Sequence, residues 1–442
     1  MIPSLRVYGL LILGTAIGLG IAVVGQDLTG SPLLTAAIGF VLIWDGLVLL
    51  LALLDSQWVK AQRVTIERLP IDRLSIGREN LIELKLHTGD RAARLQIRDH
   101  YPPSFQVSPE LLQVVLPAHH QETLSYRVFP DHRGEYNWGA IQVRQLGAWG
   151  LAWHNWRIPQ AQPVAVYPDL LGLRSLSIRL ALQNTGSIKR SQRLGMGTEF
   201  SELREYSTGD DPRLIDWKAT ARRSRLLLRV LEPEQEQTLI VLLDSGRLMR
   251  TRVRGIERFD WGLNALLSLA LAGLHRGDRV GIGVFDRQLH TWVPPERGKA
   301  QLSHLIERVT PLRPTGLEPD YVNAVTQVTS QQTRRALVVL ITDLIDRTAS
   351  AELLSAMACL TPRYLPFCVT LRDPAVDAQS QLPTPDVTSG YRRAVALDLL
   401  SQRQVALETL KQKGVLVLDA PADQMTDPLV DRYLHLKSRG RL

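Results

Sequence analysis

Thr238-Leu239-Ile240-Val241-Leu242-Leu243-Asp244 carries five consecutive aliphatic residues and ends on an aspartate. A run this short, without polar alternation, reads as a strand covered on both faces, as in a parallel sheet. Val280-Gly281-Ile282-Gly283-Val284-Phe285, Ala336 to Ile341, Leu365 to Leu371 and Val415-Leu416-Val417-Leu418 have the same character. Helical spacing fills the intervals at 257–275, 299–309, 319–330, 349–360 and 391–412, and a terminal helix closes the chain. This alternation predicts a doubly wound α/β domain over 233–442, with helices on both faces of its sheet. Ligands of such sheets meet the carboxyl ends of the strands, where Asp244 and Asp343 stand. A strand-terminal Asp also serves as an ordinary helix N-cap.

Upstream, residues 169–232 form a signature segment that is neither apolar nor periodic. Thr208-Gly209-Asp210-Asp211-Pro212 predicts a tight turn, and Pro212 suits the first position of a helix. Asp216 and Lys218 flank Trp217, while Arg204, Arg213, Arg222 and Arg223 supply planar donors suited to carboxylate or phosphate. Two readings stand side by side: an internal ion-pair network locking a loop, and a docking surface for an acidic partner.

From 60 to 168 the pattern alternates with period two, as in Ile82/Leu84/Leu86, Leu95/Ile97, Leu124/Tyr126/Val128 and Ile141/Val143. Turn clusters separate these runs, predicting a β-sandwich-like domain. His119-His120 lacks a third ligand at usable spacing and reads as a solvated loop.

Residues 1–58 are different again. No charged residue lies between Val7 and Gly25, and from Leu33 to Leu54 the only ionisable residue is Asp45. Each run approaches the roughly 20 residues that cross a bilayer, so a two-helix membrane hairpin is expected over 7–25 and 33–54. A second span directly after the first argues against a cleaved signal peptide. Arg6 precedes the hairpin and Lys60, Arg63 and Arg68 follow it, while the loop between carries Asp27 and no cation. The expectation is that the hairpin crosses the cytoplasmic membrane, with both termini and the soluble domains cytoplasmic. Asp45 is expected at the depth of Gly14, Thr15 and Gly18, where Gly14 and Gly18 would permit close helix approach. It is either hydrogen-bonded within the hairpin or a polar contact to another membrane protein.

The chain has 442 residues, enough for two or three domains, and its 52 basic and 44 acidic residues leave a formal charge of +8. Two cysteines, Cys359 and Cys368, exclude a disulfide scaffold and suit a reducing compartment. The positive charge is scattered and lacks the aromatic interleaving of a nucleic-acid groove, so no nucleic acid is expected as partner. Walker A, Gly-x-Ser-x-Gly and His-Glu-x-x-His motifs are absent, which favours a binding protein over an enzyme.

Gly197, Glu199, Phe200, Leu203, Arg204, Glu205, Tyr206, Gly209, Asp210, Asp211, Arg213, Ile215, Asp216, Trp217, Lys218, Ala221 and Arg222 reproduce a long, specific pattern. It resembles the signature of the bacterial family called domain of unknown function 58. The hairpin, β-rich segment and Val166-Tyr167-Pro168 run also resemble that family's layout. Gly147-Ala148-Trp149-Gly150-Leu151 departs from its Asp-Pro-Leu-Gly-Leu, which is expected to alter a turn and little else. The resemblance implies a membrane-anchored adaptor working with a MoxR-type AAA+ ATPase in envelope-related protein assembly or remodelling. The alternative is a passive scaffold among envelope proteins. Asp244 and Asp343, with Thr315 between them in sequence, also look like a von Willebrand factor A domain and its Mg2+-binding adhesion site. Gly246 and Leu248 stand where that site's Asp-x-Ser-x-Ser motif has serines, leaving Asp244, Thr315 and Asp343 as a degenerate ligand set.

Overall fold

The computed structural model describes residues 2–29, 34–71, 73–187, 199–232, 237–344, 350–383 and 386–439. Gly197, Leu33 and Pro233, on which sequence expectations fell, lie outside them. The contact pattern divides the chain into two units, Met1–Tyr167 and Pro168–Leu442.

The first unit opens with helices α1 (Leu5–Thr29) and α2 (Leu34–Ala61), both long and apolar enough to cross a membrane. They pack against each other and leave Leu5, Ile12, Leu19, Leu42, Ile43 and Leu50 exposed. The Gly14/Gly18 notch is used inside this hairpin. A Cβ on Gly14 would overlap the Trp44 indole, and one on Gly18 would overlap Val41. Trp44 Nε1 donates to the Leu10 carbonyl at 2.9 Å. Trp44, not Asp45, therefore faces the notch. Thr15 Oγ1 donates to Ile12 of its own helix, and Asp45 Oδ1 is buried without a hydrogen-bond partner among the described residues.

The rest of this unit is sheet. Thr65–Arg68, Asn80–His87, Gln121–Phe129 and Gln106–Ser108 form one antiparallel sheet in that spatial order. Ala152–Ile158, Ile141–Leu146, Ala93–Asp99 and Leu112–Leu116 form another, extended by the Ile2–Pro3 pairing at its edge. A smaller third sheet joins Arg73–Ser75, Gln162–Tyr167 and Gly134–Trp138. Alternation decides which side is buried: Ile82, Leu84, Leu86, Leu95, Ile97, Ile141 and Val143 are all inside. Arg68, read from sequence as a membrane-flanking charge, is also inside, where its guanidinium pairs with Asp99. Tyr126 donates to the same carboxylate at 2.6 Å.

The Gly147–Leu151 turn does more than alter a loop. Asp55 of α2 is fully buried, and its carboxylate accepts from the backbone N–H of Trp149 (3.1 Å), Leu151 (3.0 Å) and Ala152 (3.3 Å). Ser4 Oγ donates to the Gly150 carbonyl at 2.6 Å. A side chain at 147 would strike Asp55, and Gly150 holds a φ of +71°, so glycine is required at both. The turn thus binds the sheet-rich segment to the hairpin.

In the second unit a parallel sheet contains Thr238–Asp244 (β1), Arg279–Phe285 (β2), Leu337–Thr342 (β4), Leu365–Arg372 (β5) and Leu416–Pro421 (β6). Leu289–Glu296 (β3) pairs antiparallel with β2, and the order is β3-β2-β1-β4-β5-β6. The helices are α3 (Leu170–Ser187), α4 (Trp217–Arg223), α5 (Arg258–His275), α6 (Lys299–Val309), α7 (Tyr321–Gln331), α8 (Ala351–Cys359), α9 (Pro374–Gln381), α10 (Val387–Gln412) and α11 (Thr426–Ser438). Leu239, Val241 and Leu243 of β1 face a core shared with α3, α5, α6 and α11. Ile240 and Leu242 face the opposite core, shared with α7, α8 and α10. Both faces are covered, which explains the unbroken aliphatic run. The chain is a mixed α/β protein with two apolar N-terminal helices and a sheet-rich middle.

Candidate functional site

The carboxyl edge of the parallel sheet gathers most of the buried charge of the second unit. Asp244 closes β1 and is 1% exposed. Its Oδ2 accepts from Thr342 Oγ1 (2.6 Å) and the Tyr321 hydroxyl (3.1 Å), and Oδ1 accepts from the Gly246 N–H (2.7 Å). Burial pushes this carboxyl up to about 6 against those hydrogen bonds. Thr315 Oγ1 donates to Asp286 at 2.9 Å rather than to Asp244. His290 lies 2.7 Å from the same Asp286 oxygen. Burial works to raise the Asp286 carboxyl, but hydrogen bonds from His290, the Gln288 N–H and Thr315 hold it below the usual range.

Asp343, just beyond β4, is held by two arginines. Arg258 of α5 contacts its Oδ2 at 2.5 Å and reaches the Leu248 carbonyl at 3.2 Å. Arg403 of α10 contacts Oδ1 at 2.8 Å. Arg403 also bonds Asp419 of β6 through Nε (3.1 Å) and Nη2 (2.9 Å), and Arg372 bonds the other Asp419 oxygen at 3.2 Å. Charges therefore alternate along the edge: Arg258, Asp343, Arg403, Asp419, Arg372. Burial alone would lower the Arg403 pKa, but Asp343 and Asp419 raise it, so this cation is permanent.

This donor set does not fit Mg2+. A hard cation needs free oxygens arranged around it, whereas the Asp244 and Thr315 oxygens are engaged by protein partners and Asp343 already carries two guanidinium groups. Among the described residues no three His, Cys, Asp or Glu side chains are grouped to hold a metal. Arg258 and Arg403 were not singled out in the sequence because their partner lies 85 and 60 residues away. Cys368 is buried in the neighbouring strand, its thiol pushed up to about 12 by burial, which makes it a packing residue.

The signature folds as an antiparallel hairpin, Glu199–Glu205 with Leu227–Glu232, enclosing a 3-10 turn at Pro212–Leu214 and α4. The three aspartates of its loop are structural. Asp210 accepts from the Ser207 N–H and from Arg204 (2.7 Å), which hold its carboxyl below the usual range. Asp211 caps the turn through the Arg213 N–H at 3.0 Å. Asp216 caps α4 through the Ala219 N–H (3.0 Å) and accepts from Arg229 (2.8 Å), which also lower its pKa.

Trp217, Lys218, Arg213 and Arg222 face outward, and Trp217 is 67% exposed. The eight residues singled out therefore split. Arg204, Asp210, Asp211 and Asp216 hold the loop; Arg213, Trp217, Lys218 and Arg222 are presented by it.

The model of the family described as Protein of unknown function DUF58 matches residues 202–387, a span that takes in the signature loop and Asp244, Arg258, Asp286, Thr315, Asp343 and Arg372 of the sheet edge but ends before Arg403 and Asp419. An uncharacterized protein of Mycobacterium tuberculosis (strain ATCC 25618 / H37Rv) is 23% identical over 262 residues, covering 56% of this chain and 82% of that protein. The uncharacterized protein YeaD of Bacillus subtilis (strain 168) is 22% identical over 189 residues, 42% of this chain and 45% of YeaD. Among solved structures, the conserved hypothetical protein BatB from Bacteroides thetaiotaomicron aligns at 12% identity with a TM-score of 0.32. The alignment covers 46% of this chain and 98% of that one.

Proposed function

We propose that this protein is a membrane-anchored, non-catalytic adaptor whose signature hairpin docks an acidic protein partner. The observation that carries the reading is Trp217. A large indole left 67% exposed, on a loop whose acids are spent on internal bonds and beside outward Lys218, Arg213 and Arg222, has the composition of an interaction hot spot. Complementary charge would speed and orient the encounter. The hairpin α1/α2 spans the inner membrane in this reading, with both ends cytoplasmic, supported by its exposed aliphatic surface and by Arg6, Lys60 and Arg63 at those ends. The second unit is read as von Willebrand factor A-like, supported by its sheet order and by the aspartates at the carboxyl edge, with guanidinium groups in place of a cation.

The family resemblance suggests a MoxR-type AAA+ ATPase as the partner, and envelope-related assembly or remodelling as the process. The test is the affinity of the full detergent-solubilised chain for that ATPase. Trp217→Ala is expected to weaken binding about 30-fold, the scale of a 2 kcal/mol hot spot, while leaving stability within about 0.5 kcal/mol. Equal binding by the variant would remove the docking role.

A second reading, a passive scaffold in an envelope complex without an ATPase, is favoured by Asp45. Asp45 is only partly buried in an apolar hairpin, and a carboxyl group there suits a polar contact with another membrane protein. Asp45→Leu should then dissolve such a complex, and unchanged assembly would remove this reading.

A further inference from the structure

The ends of the hairpin that emerge beside the sandwich carry a cluster that docking through Trp217 does not use. Trp58, in the last turn of α2, packs at a tilt against Trp149 of the Gly147–Leu151 turn, with a centroid distance of 4.6 Å. The Arg91 guanidinium lies 5.9 Å from the Trp58 ring. Arg6 Nη1 reaches the Trp149 carbonyl at 3.3 Å, while Lys60 and Arg63 follow directly in sequence. Trp58 and Trp149 are 46% and 41% exposed, and Arg6, Lys60, Arg63 and Arg91 are all exposed.

Depth makes the cluster specific. Leu53 and Leu54 of α2 expose bare aliphatic surface, and Trp58 lies one turn further on, about 6 Å along the helix axis. That is the headgroup level, where amphipathic indoles settle. Of the nearby acids, Asp55 is buried under three backbone N–H groups, and exposed Asp90 lies 3.6 Å from His119, so the exposed cations Arg6, Lys60, Arg63 and Arg91 outnumber it. The local field is positive: burial first, then Arg63 and Lys60, lower the pKa of His154, which sits 3.0 Å from the Arg63 guanidinium.

We propose that Arg6, Lys60 and Arg91, set around the Trp58–Trp149 pair, bind the phosphates of anionic phospholipids and hold the sandwich against the membrane on one fixed face. The Asp55 clamp gives the surface its rigidity, because it fixes the Trp149 turn to the end of α2. This proposal rests on the hairpin spanning a membrane.

The experiment uses the full chain in lipid nanodiscs and compares phosphatidylglycerol with phosphatidylcholine by native mass spectrometry of retained lipid. Wild type should retain phosphatidylglycerol preferentially, and Arg6→Gln/Arg91→Gln should reduce that preference roughly 30-fold, the effect of two interfacial charges. Should the double variant melt early, Lys60→Gln carries the same expectation at about fivefold. Equal retention of both lipids by wild type, or an unchanged preference in the variants, overturns the proposal. Carbonate extraction of cell membranes separates the premises. Release of the chain defeats the membrane reading itself, whereas retention without lipid preference defeats only the lipid site.

Discussion

Asp244 is a carboxyl kept in a fully buried position by two hydroxyls and one backbone N–H, without a cation of its own. Its pKa is raised to about 6 in the folded chain, while the unfolded chain titrates near 4. Between those values the folded state holds more protons, so this residue's contribution to stability falls as pH rises. Asp244→Asn keeps the shape, and its hydroxyl partners can turn to accept. Relative to wild type, the variant should gain on the order of 2–3 kcal/mol between pH 4 and 7. Thermal unfolding of the full chain in detergent at several pH values measures this, and a pH-independent difference would refute it. Asp244 was legible in the sequence as a strand-end carboxylate. Its burial was not, because Tyr321 and Thr342 are brought to it from 77 and 98 residues away.

At the level of elements, the hairpin shows how small residues are spent. Gly14 and Gly18 admit Trp44 and Val41, so larger side chains there must force α1 and α2 apart, while a Cβ on Gly20 meets nothing. Gly14→Leu is expected to cost about 1–3 kcal/mol by overpacking, and Gly20→Ala to be close to neutral. Melting temperatures in detergent would separate them, and equal values would contradict the packing. Helix α3 and strand β3 are among the elements that escaped the sequence reading. Helix α3 lies in what reads as linker, although Leu173, Leu176 and Leu180, all buried, have helical spacing. Strand β3 contains Pro294 and Pro295, which suit an edge where no further ladder is required. A Cβ on Gly281 would lie 2.8 Å from Pro295, so that glycine serves packing of the edge strand.

Across the whole molecule, the metal question reduces to what neutralises the acids at the sheet edge. Arg258 and Arg403 already do so at Asp343. Neither Mg2+ nor a chelator should shift the melting temperature of the full chain, and a saturable Mg2+-dependent rise would show that the arginines yield to a cation. Sequence alone determined what depends on local pattern. Hydrophobic length marked the hairpin, period two marked the sheet-rich middle, and aliphatic runs between helical intervals marked the parallel sheet, because each pattern records which faces of an element meet water. Tertiary structure alone decided pairings between distant residues. It separated the signature into acids that brace the loop and a Trp217 left outside, and it joined Asp55 to a turn almost a hundred residues later. It also set two arginines on Asp343 where the sequence suggested a cation. Such choices depend on which side chains folding brings within a few ångströms, and no periodicity along the chain encodes that distance.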